Sequence, residues 1–157
     1  MLIKQQLRIV FLIVFLALSF TSTAGATGLW QRETTLLSVV NGVRASHHLR
    51  PLAVDVRLVR AARGHSATLL RHDIFTHGDF AERIRRSGAR GPRFGENLAW
   101  GAGPHAAARA IVRNWLASPG HRANLLRPGF RRIGIGALTG SFGGNRATVV
   151  TADFAGR

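Results

Sequence analysis

Two histidines and one glutamate, each on a short segment rich in glycine or asparagine, are the residues of this chain best suited to chemistry. His77 follows Phe-Thr and precedes a glycine, Glu96 lies between a glycine and an asparagine, and His121 follows Ser-Pro-Gly. Such segments shape the backbone so that it presents one polar group, and two imidazoles with a carboxylate suit a divalent metal ion or an acid–base function. We predict that these three side chains share one cleft.

Each of the three residues also has a simpler interpretation. A single loop histidine such as His77 is most often a surface or helix-capping residue. Glu96 lies in an apolar segment, where a carboxylate needs a partner, and that partner could be one of the many arginines. Two interpretations of His121 stay open: Ser118 could cap a helix with proline at its first position, or Gly120 could form a tight turn that directs His121 into a cleft.

Other catalytic templates are absent from the sequence. It contains no HExxH helix, no GxSxG segment, no GxxxxGK[ST] loop and no cysteine for a thiol mechanism. His65 and His72 lie seven residues apart, on roughly one face of a helix, which favours core or surface roles over metal ligation. His65 could still line the back wall of the cleft.

The N-terminus has the pattern of an export signal. Two basic residues precede an apolar run from 9 to 20, which is shorter than the roughly twenty residues of a membrane span, and the Ala-Gly-Ala segment ending at Ala26 fits a cleavage site. We predict a signal peptide over 1–26 and a single domain over 27–157, with an uncleaved anchor as the alternative. In both cases the domain would lie outside the cytoplasm, as a secreted or periplasmic domain. If the signal peptide is cleaved, no transmembrane segment remains.

The chain is strongly basic, with 22 Lys and Arg residues against 7 Asp and Glu and a formal net charge of +15. The arginines are spread along the chain, so we interpret them mainly as a solvated surface that could attract anionic lipids or cell-wall polymers. No nucleic-acid-binding motif accompanies the charge, and export would remove the protein from DNA. We therefore expect a monomer that binds a small ligand, a lipid or a cell-envelope component, and no nucleic acid.

The elements that position these residues follow an α+β pattern. Apolar spacing predicts helices over 34–44, with a threonine as cap, over 55–72, capped by Asp55, and over 80–87 and 106–116. An extended segment over 95–100 and an alternating pair over 133–137 and 147–154, joined by a glycine-rich turn, predict strands and an antiparallel hairpin. These elements fit a sheet covered by helices.

In the segments around His77, Glu96 and His121 the sequence resembles the CAP superfamily, which unites cysteine-rich secretory proteins, insect antigen 5 and plant pathogenesis-related class 1 proteins. It is most similar to the short bacterial branch, and the resemblance covers nearly the whole of the predicted domain. The segments that carry it are Phe75-Thr76-His77, Gly95-Glu96-Asn97-Leu98-Ala99, Trp115 and Ser118-Pro119-Gly120-His121-Arg122-Ala123-Asn124-Leu125-Leu126.

The resemblance implies a three-layer α-β-α sandwich with a mainly antiparallel sheet. It also implies a cleft with two histidines and two acids, which in several members binds zinc or another divalent ion. Carried over by position, the metal ligands are His77, Glu96 and His121, and the place of the second acid is taken by Ser118. Asp79 or Glu82 could substitute for that acid. The further residues expected to line the cleft are His65, Asp79, Asn97 and Ser118.

Function is less narrowly implied, because family members have been linked to sterol and lipid binding, to signalling and in a few cases to proteolysis. The leading hypothesis is an exported binding module whose cleft holds a divalent metal or a small ligand such as a lipid. The alternative is a metal-dependent hydrolase, in which two imidazoles and a carboxylate leave a coordination position open for water. A third is an adhesion protein that uses its basic surface. No nucleophile or oxyanion device is evident in the sequence, so we place the binding module before the hydrolase.

Overall fold

The computed structural model describes residues 29–157, and the predicted signal peptide over 1–26 lies outside them. The helices are α1 (Gln31–Ser46), α2 (Val56–His72), α3 (Phe80–Ser87), α4 (Ala108–Ala117) and α5 (Pro119–Leu125), with a 3-10 turn (Gly103–Ala106) before α4. The strands are β1 (Ala53–Val54), β2 (Phe94–Ala102), β3 (Phe130–Phe142) and β4 (Asn145–Gly156). Among these helices none is long and apolar enough to cross a membrane.

The four strands form one sheet in the order β1-β3-β4-β2. β3 and β4 are the predicted hairpin, whose strands are longer than expected and turn at Gly143 and Gly144. β2 pairs antiparallel with β4, whereas the two-residue β1 pairs parallel with β3. The sheet is therefore mixed, with a single short parallel pair beside a mainly antiparallel ladder.

Helices cover both faces of this sheet, which confirms the predicted α-β-α sandwich. One face carries the largest apolar core, where Leu36 of α1 and Trp115 of α4 pack against strand residues such as Ile135 and Phe154. The Trp115 indole donates a hydrogen bond of 2.9 Å to the Leu98 carbonyl and so fixes α4 on β2. The opposite face carries α2, against which α3 packs.

The starts of two helices differ from the sequence prediction. Helix α1 begins before the threonines, and the Glu33 carboxylate accepts the Trp30 backbone N–H at 2.8 Å, so the predicted threonine cap is wrong. The chain after Ser118 is a helix, α5, rather than a tight turn, although the Ser118 side chain does not cap it. A glycine in a helix costs about 1 kcal/mol relative to alanine, and the fixed φ of Pro119 together with the buried Leu125 offsets that penalty.

Helix α2 meets the predicted boundaries and lies unusually close to the sheet. Its first turn is capped by Asp55, which accepts the Arg57 backbone N–H at 2.9 Å, as predicted. Two glycines of β3 allow the close approach: a methyl group on Gly134 would lie 2.0 Å from the Leu58 carbonyl carbon, and one on Gly136 would lie 2.4 Å from the backbone of the next helical turn. The backbones of α2 and β3 are therefore in direct contact.

We predict that Gly134→Ala destabilises the domain by about 3 kcal/mol, because the added methyl meets backbone rather than a side chain that could move away. The matched control is Gly64→Ala in α2, whose methyl would meet nothing within 4 Å and which should stabilise the helix by up to about 1 kcal/mol. Urea unfolding followed by circular dichroism gives both values. Similar stabilities for the two variants would contradict the close contact.

Candidate functional site

Glu96 of β2 is the centre of the polar cluster, and its side chain is only 2% exposed. One carboxylate oxygen, Oε1, lies 2.6 Å from Nδ1 of His77, and the other, Oε2, accepts a short hydrogen bond from the Arg83 guanidinium. Arg83 also donates to the His77 carbonyl at 3.1 Å, so it links helix α3 to the histidine loop. The arginine partner and the histidine partner that the sequence suggested as alternatives are thus both present.

The contact with Glu96 determines the tautomer of His77. An ionised carboxylate only accepts hydrogen bonds, so Nδ1 carries the proton and Nε2 of the neutral ring keeps its lone pair. The His77 side chain is 57% exposed, and Nε2 is the nitrogen that is left to bind a ligand or a proton. His77 is therefore an oriented base at the surface of the cluster.

His65 of α2 lies behind Glu96 and is buried. Its Nε2 is 4.0 Å from Oε2 of Glu96 and 2.9 Å from the Thr76 carbonyl oxygen. A carbonyl only accepts, so Nε2 is the donor in that bond. Burial, and then the positive charge of Arg83, lower the pKa of His65 and keep the ring neutral at physiological pH.

His121 lies on α5, which packs against β2. Burial lowers the pKa of His121, and repulsion from the His77 ring, when that ring is protonated, lowers the pKa of His121 further. Within residues 29–157 no hydrogen bond or ion pair joins His121 to His77 or to Glu96, so the shared cleft of both histidines with Glu96 stays a prediction. The metal-ligand role of His77, Glu96 and His121 stays a prediction.

Two asparagines connect α5 to β2. Asn97 is fully buried and donates to the His121 carbonyl at 3.0 Å. Asn124 donates to the Glu96 carbonyl at 3.1 Å and to the Asn97 side-chain oxygen at 3.0 Å. Asn97 is therefore a positioning residue for the His121 segment, on the opposite side of β2 from the Glu96 carboxylate.

Asp153 of β4 is the residue of this cluster that the sequence reasoning missed. It lies directly opposite Glu96 in the β2–β4 ladder and is fully buried. No donor from residues 29–157 reaches either of its carboxylate oxygens. Burial and then the negative charge of Glu96 raise the pKa of Asp153 well above its usual range, against the opposing effect of Arg83. A protonated Asp153 can donate its own hydrogen bond to Glu96, which two ionised carboxylates could not share.

The residues that the sequence offered in place of the second acid of the cleft have other roles in the structure. Asp79 caps α3 by accepting the Glu82 backbone N–H at 3.0 Å. Glu82 holds Arg85 and Arg86 through both carboxylate oxygens, and these hydrogen bonds lower the pKa of Glu82 to about 2. Ser118 is half-buried at the junction of α4 and α5. Asp153, in contrast, lies directly opposite Glu96 on the neighbouring strand.

A cavity of about 610 Å³ lies between α2, α3 and the loop that joins them. Two of the residues predicted to line a cleft, His65 and Asp79, line this cavity, whereas Asn97 and Ser118 do not. His77, Glu96 and His121 also lie outside its lining, and Arg83 lies between the cavity and the Glu96 carboxylate. The cavity and the Glu96 cluster are thus adjacent and share Arg83 and His65.

The donor set does not fit a resident divalent cation. Within residues 29–157 no three His, Asp or Glu side chains form a group that could hold one. Both oxygens of Glu96 already accept hydrogen bonds, and Nε2 of His65 is directed to a carbonyl. What remains is Nε2 of His77 with the ring of His121, fewer than the three protein ligands of a zinc site.

The fold and this site define a class: an α-β-α sandwich with a carboxylate–imidazole cluster beside the edge strand β2. The model of the cysteine-rich secretory protein family, CAP, matches residues 37–154. The chain belongs to this family, even though it contains no cysteine.

Two relatives from Bacillus subtilis match most of the chain. YkwD is 29% identical over 121 residues, which cover 74% of this chain and 46% of that protein. The membrane protein YlbC is 29% identical over 109 residues, which cover 66% of this chain and 31% of that protein. The chain spans less than half the length of either relative.

Two of the solved structures with the same fold are bacterial proteins. An extracellular protein with an SCP domain from Bacillus anthracis superposes with a TM-score of 0.69 at 27% identity, over 80% of this chain and 40% of that one. An outer surface protein from Borrelia burgdorferi superposes with a TM-score of 0.64 at 23% identity, over 79% of this chain and 92% of that one. The second likeness supports the fold alone.

We predict that Asp153→Asn stabilises the protein at pH 7. Folding raises the pKa of the Asp153 carboxyl. The contribution of this group to the free energy of unfolding is therefore fully present below its unfolded pKa, and it is lost as the pH rises through its folded pKa. Asparagine keeps the shape, can donate to Glu96 and has no proton to lose. The gain should be about 1 kcal/mol or more, since one pKa unit corresponds to about 1.4 kcal/mol.

Urea unfolding at pH 7 and at pH 3 measures this effect, and the gain should vanish at the lower pH. The exposed helix cap offers a control, because Asp79→Asn keeps a good capping residue and should change little at either pH. A loss of stability at pH 7 in Asp153→Asn would mean that the buried carboxyl is ionised.

Proposed function

We propose that this protein is an exported binding module of the CAP family, and that the cavity between α2 and α3 receives a small amphipathic ligand with an anionic head group. The relative described as an extracellular protein, together with the predicted signal peptide, supports an extracytoplasmic location. The observation that carries the proposal is the cavity itself, whose volume of about 610 Å³ falls within the range of small-molecule sites.

One part of the cavity wall is apolar. Ala61 and Leu69 of α2 are buried at its base, and Ile74 from the following loop is half-exposed at its edge. An aliphatic chain placed there would remove apolar surface from water at about 25 cal/mol per Å². This part of the wall suits the hydrocarbon portion of a lipid-like molecule.

The other part of the wall is charged. Three arginines line it, Arg60 from α2 and Arg83 and Arg86 from α3, together with the carboxylates of Asp79 and Glu82. Arg86 is paired with Glu82, and Arg83 is paired with Glu96 beside the cavity. Arg60 donates a hydrogen bond of 2.6 Å to the Ser87 carbonyl, and among residues 29–157 no ion pair joins its guanidinium to a carboxylate. Guanidinium groups bind carboxylate and phosphate through paired hydrogen bonds, which favours an acidic head group.

Hydrolysis is the second candidate function, and the orientation of His77 by Glu96 favours it. An imidazole held at Nδ1 with Nε2 exposed is suited to accept a proton as a general base. A covalent mechanism would also need a nucleophile beside that base, and among residues 29–157 no serine or threonine hydroxyl hydrogen-bonds to His77. Binding is therefore the function we propose first.

We predict that decanoate and decyl phosphate bind the cavity at least about tenfold more tightly than the uncharged decanol, because only the first two offer an anion to the arginines. Titration followed by two-dimensional NMR measures the affinities and shows which amides shift. The shifts should lie in α2, in α3 and in the loop between them. Equal binding of all three probes would contradict an arginine-lined head-group site.

A pair of glycine variants tests the location. Gly64 lines the cavity, and a side chain there would extend into open space, so Gly64→Phe should weaken decanoate binding by about tenfold or more without unfolding the domain. The matched control is Gly42→Phe in α1, which is also helical and without a neighbour within 4 Å. Unchanged affinity in Gly64→Phe would place the ligand elsewhere.

A further inference from the structure

A second cavity, of about 330 Å³, lies between the segment that enters β2 and the turn that joins α5 to β3. Arg93 and Arg127 contribute its charged side chains, and the other lining residues are prolines, glycines and Phe130. Among residues 29–157 no Asp or Glu lines this cavity, in contrast to the cavity between α2 and α3. Its volume lies at the lower end of the range for small-molecule sites, and the charge on its wall is positive.

The two arginines of this wall have no partner of opposite charge. The Arg127 guanidinium lies over the Phe130 ring, 5.5 Å from the centroid, and its buried Nε has no acceptor in the part of the chain that the structure describes. Arg93 is exposed, and no carboxylate within residues 29–157 forms an ion pair with either arginine. Buried donors in proteins are normally hydrogen-bonded, so the Nε of Arg127 favours an added acceptor at this place.

A third arginine lies directly behind the cavity wall. Arg44 of α1 is fully buried and donates hydrogen bonds to the carbonyls of Arg127, at 3.3 Å, and Phe130, at 3.2 Å. Burial, and then the positive charge of Arg131, lower the pKa of Arg44. Arginine keeps its proton in proteins, and buried charges are normally paired, yet no carboxylate of residues 29–157 pairs with Arg44. Its charge therefore adds to the positive potential of the cavity.

The backbone carbonyls of the wall already accept hydrogen bonds from arginines. The Pro128 carbonyl accepts one from Arg131, and the Gly156 carbonyl accepts one of 2.7 Å from Nη2 of Arg132. Two further carbonyls accept from Arg44. A cation in the cavity would find these acceptors in use and guanidinium groups around it, whereas an anion would find guanidinium donors that are free to bind it.

We propose that this cavity binds a dianionic phosphate group, held by Arg93 and Arg127 with the buried charge of Arg44 behind it. Guanidinium groups bind phosphate through paired hydrogen bonds, and the Coulomb energy of a dianion is about twice that of a monoanion at the same distance. Inorganic phosphate, a soluble phosphate monoester and the head group of phosphatidic acid share this chemistry. The site is separate from the cavity between α2 and α3 and does not depend on a ligand there.

The test titrates inorganic phosphate and acetate into the mature protein at about pH 7.5 and constant ionic strength, so that general screening does not change. Two-dimensional NMR follows the backbone amides and the arginine Nε–H groups. The variants are Arg93→Met and Arg127→Met. Their matched controls are Arg90→Met, in the same loop as Arg93, and Arg122→Met in α5; both control residues are exposed and lie outside the cavity wall. Circular dichroism and thermal unfolding confirm that each variant is folded.

We expect phosphate to shift the amides of residues 91–94 and 127–130 and the Nε–H of Arg127, and to bind at least about tenfold more tightly than acetate. Arg93→Met and Arg127→Met should each weaken phosphate binding by about tenfold, because each variant loses charge-assisted hydrogen bonds to the anion. The two control variants should change the affinity by less than about twofold, because neither guanidinium reaches the cavity.

A second arm of the experiment separates the sources of the phosphate group. Glycerol 3-phosphate represents a soluble monoester, and phosphatidylcholine vesicles that contain phosphatidic acid represent a lipid head group. The source that this site accepts is the one whose binding is lost in Arg127→Met and kept in Arg122→Met.

Four results would overturn the proposal. The first is the absence of shifts in residues 91–94 and 127–130 up to about 50 mM phosphate, and the second is equal affinity for phosphate and acetate. The third is an equal loss of affinity in the variants and in their controls, which would show a diffuse effect of net charge. The fourth is a set of shifts confined to α2 and α3, because the phosphate would then lie in the other cavity.

Discussion

The burial of the Glu96 charge is the constraint on which the rest of the site depends. Removing one partner from a buried ion pair typically costs about 3–5 kcal/mol, so a carboxylate with a side chain only 2% exposed must be matched by fixed donors. Arg83 and His77 are those donors, and they come from α3 and from the loop before it. The position of both segments against the sheet is therefore a condition for keeping this one charge in the interior.

Strand β2 transmits that constraint to the opposite layer, because successive residues of a strand point to opposite faces. Glu96 faces α2 and α3, and its neighbour Asn97 faces α5, where it holds the His121 carbonyl. Strand β2 is thus connected to the histidine loop through the Glu96 side chain and to the His121 segment through the Asn97 side chain.

The sequence predicted most of the fold, because the relevant signals are local. The Asp55 cap, the apolar spacing of α2 and the alternation of the hairpin are each readable within a few residues, and all were confirmed. The partner of Glu96 was not readable, since nothing local distinguishes Arg83 from the other arginines of α3. Asp153 did carry a signal, an acid in an alternating apolar strand, which is the same pattern that drew attention to Glu96.

The direct backbone contact between α2 and β3 has a consequence for how ligand preference could diverge among related chains. Gly134 and Gly136 hold one wall of the cavity at a spacing that no larger residue permits. The opposite wall, α3, is joined to α2 by side-chain contacts, such as the hydrogen bond from Arg60 to the Ser87 carbonyl. The size of the cavity can therefore change only through side chains that α3 contributes other than Arg83, which Glu96 requires, because the glycine pair fixes the distance between α2 and the sheet.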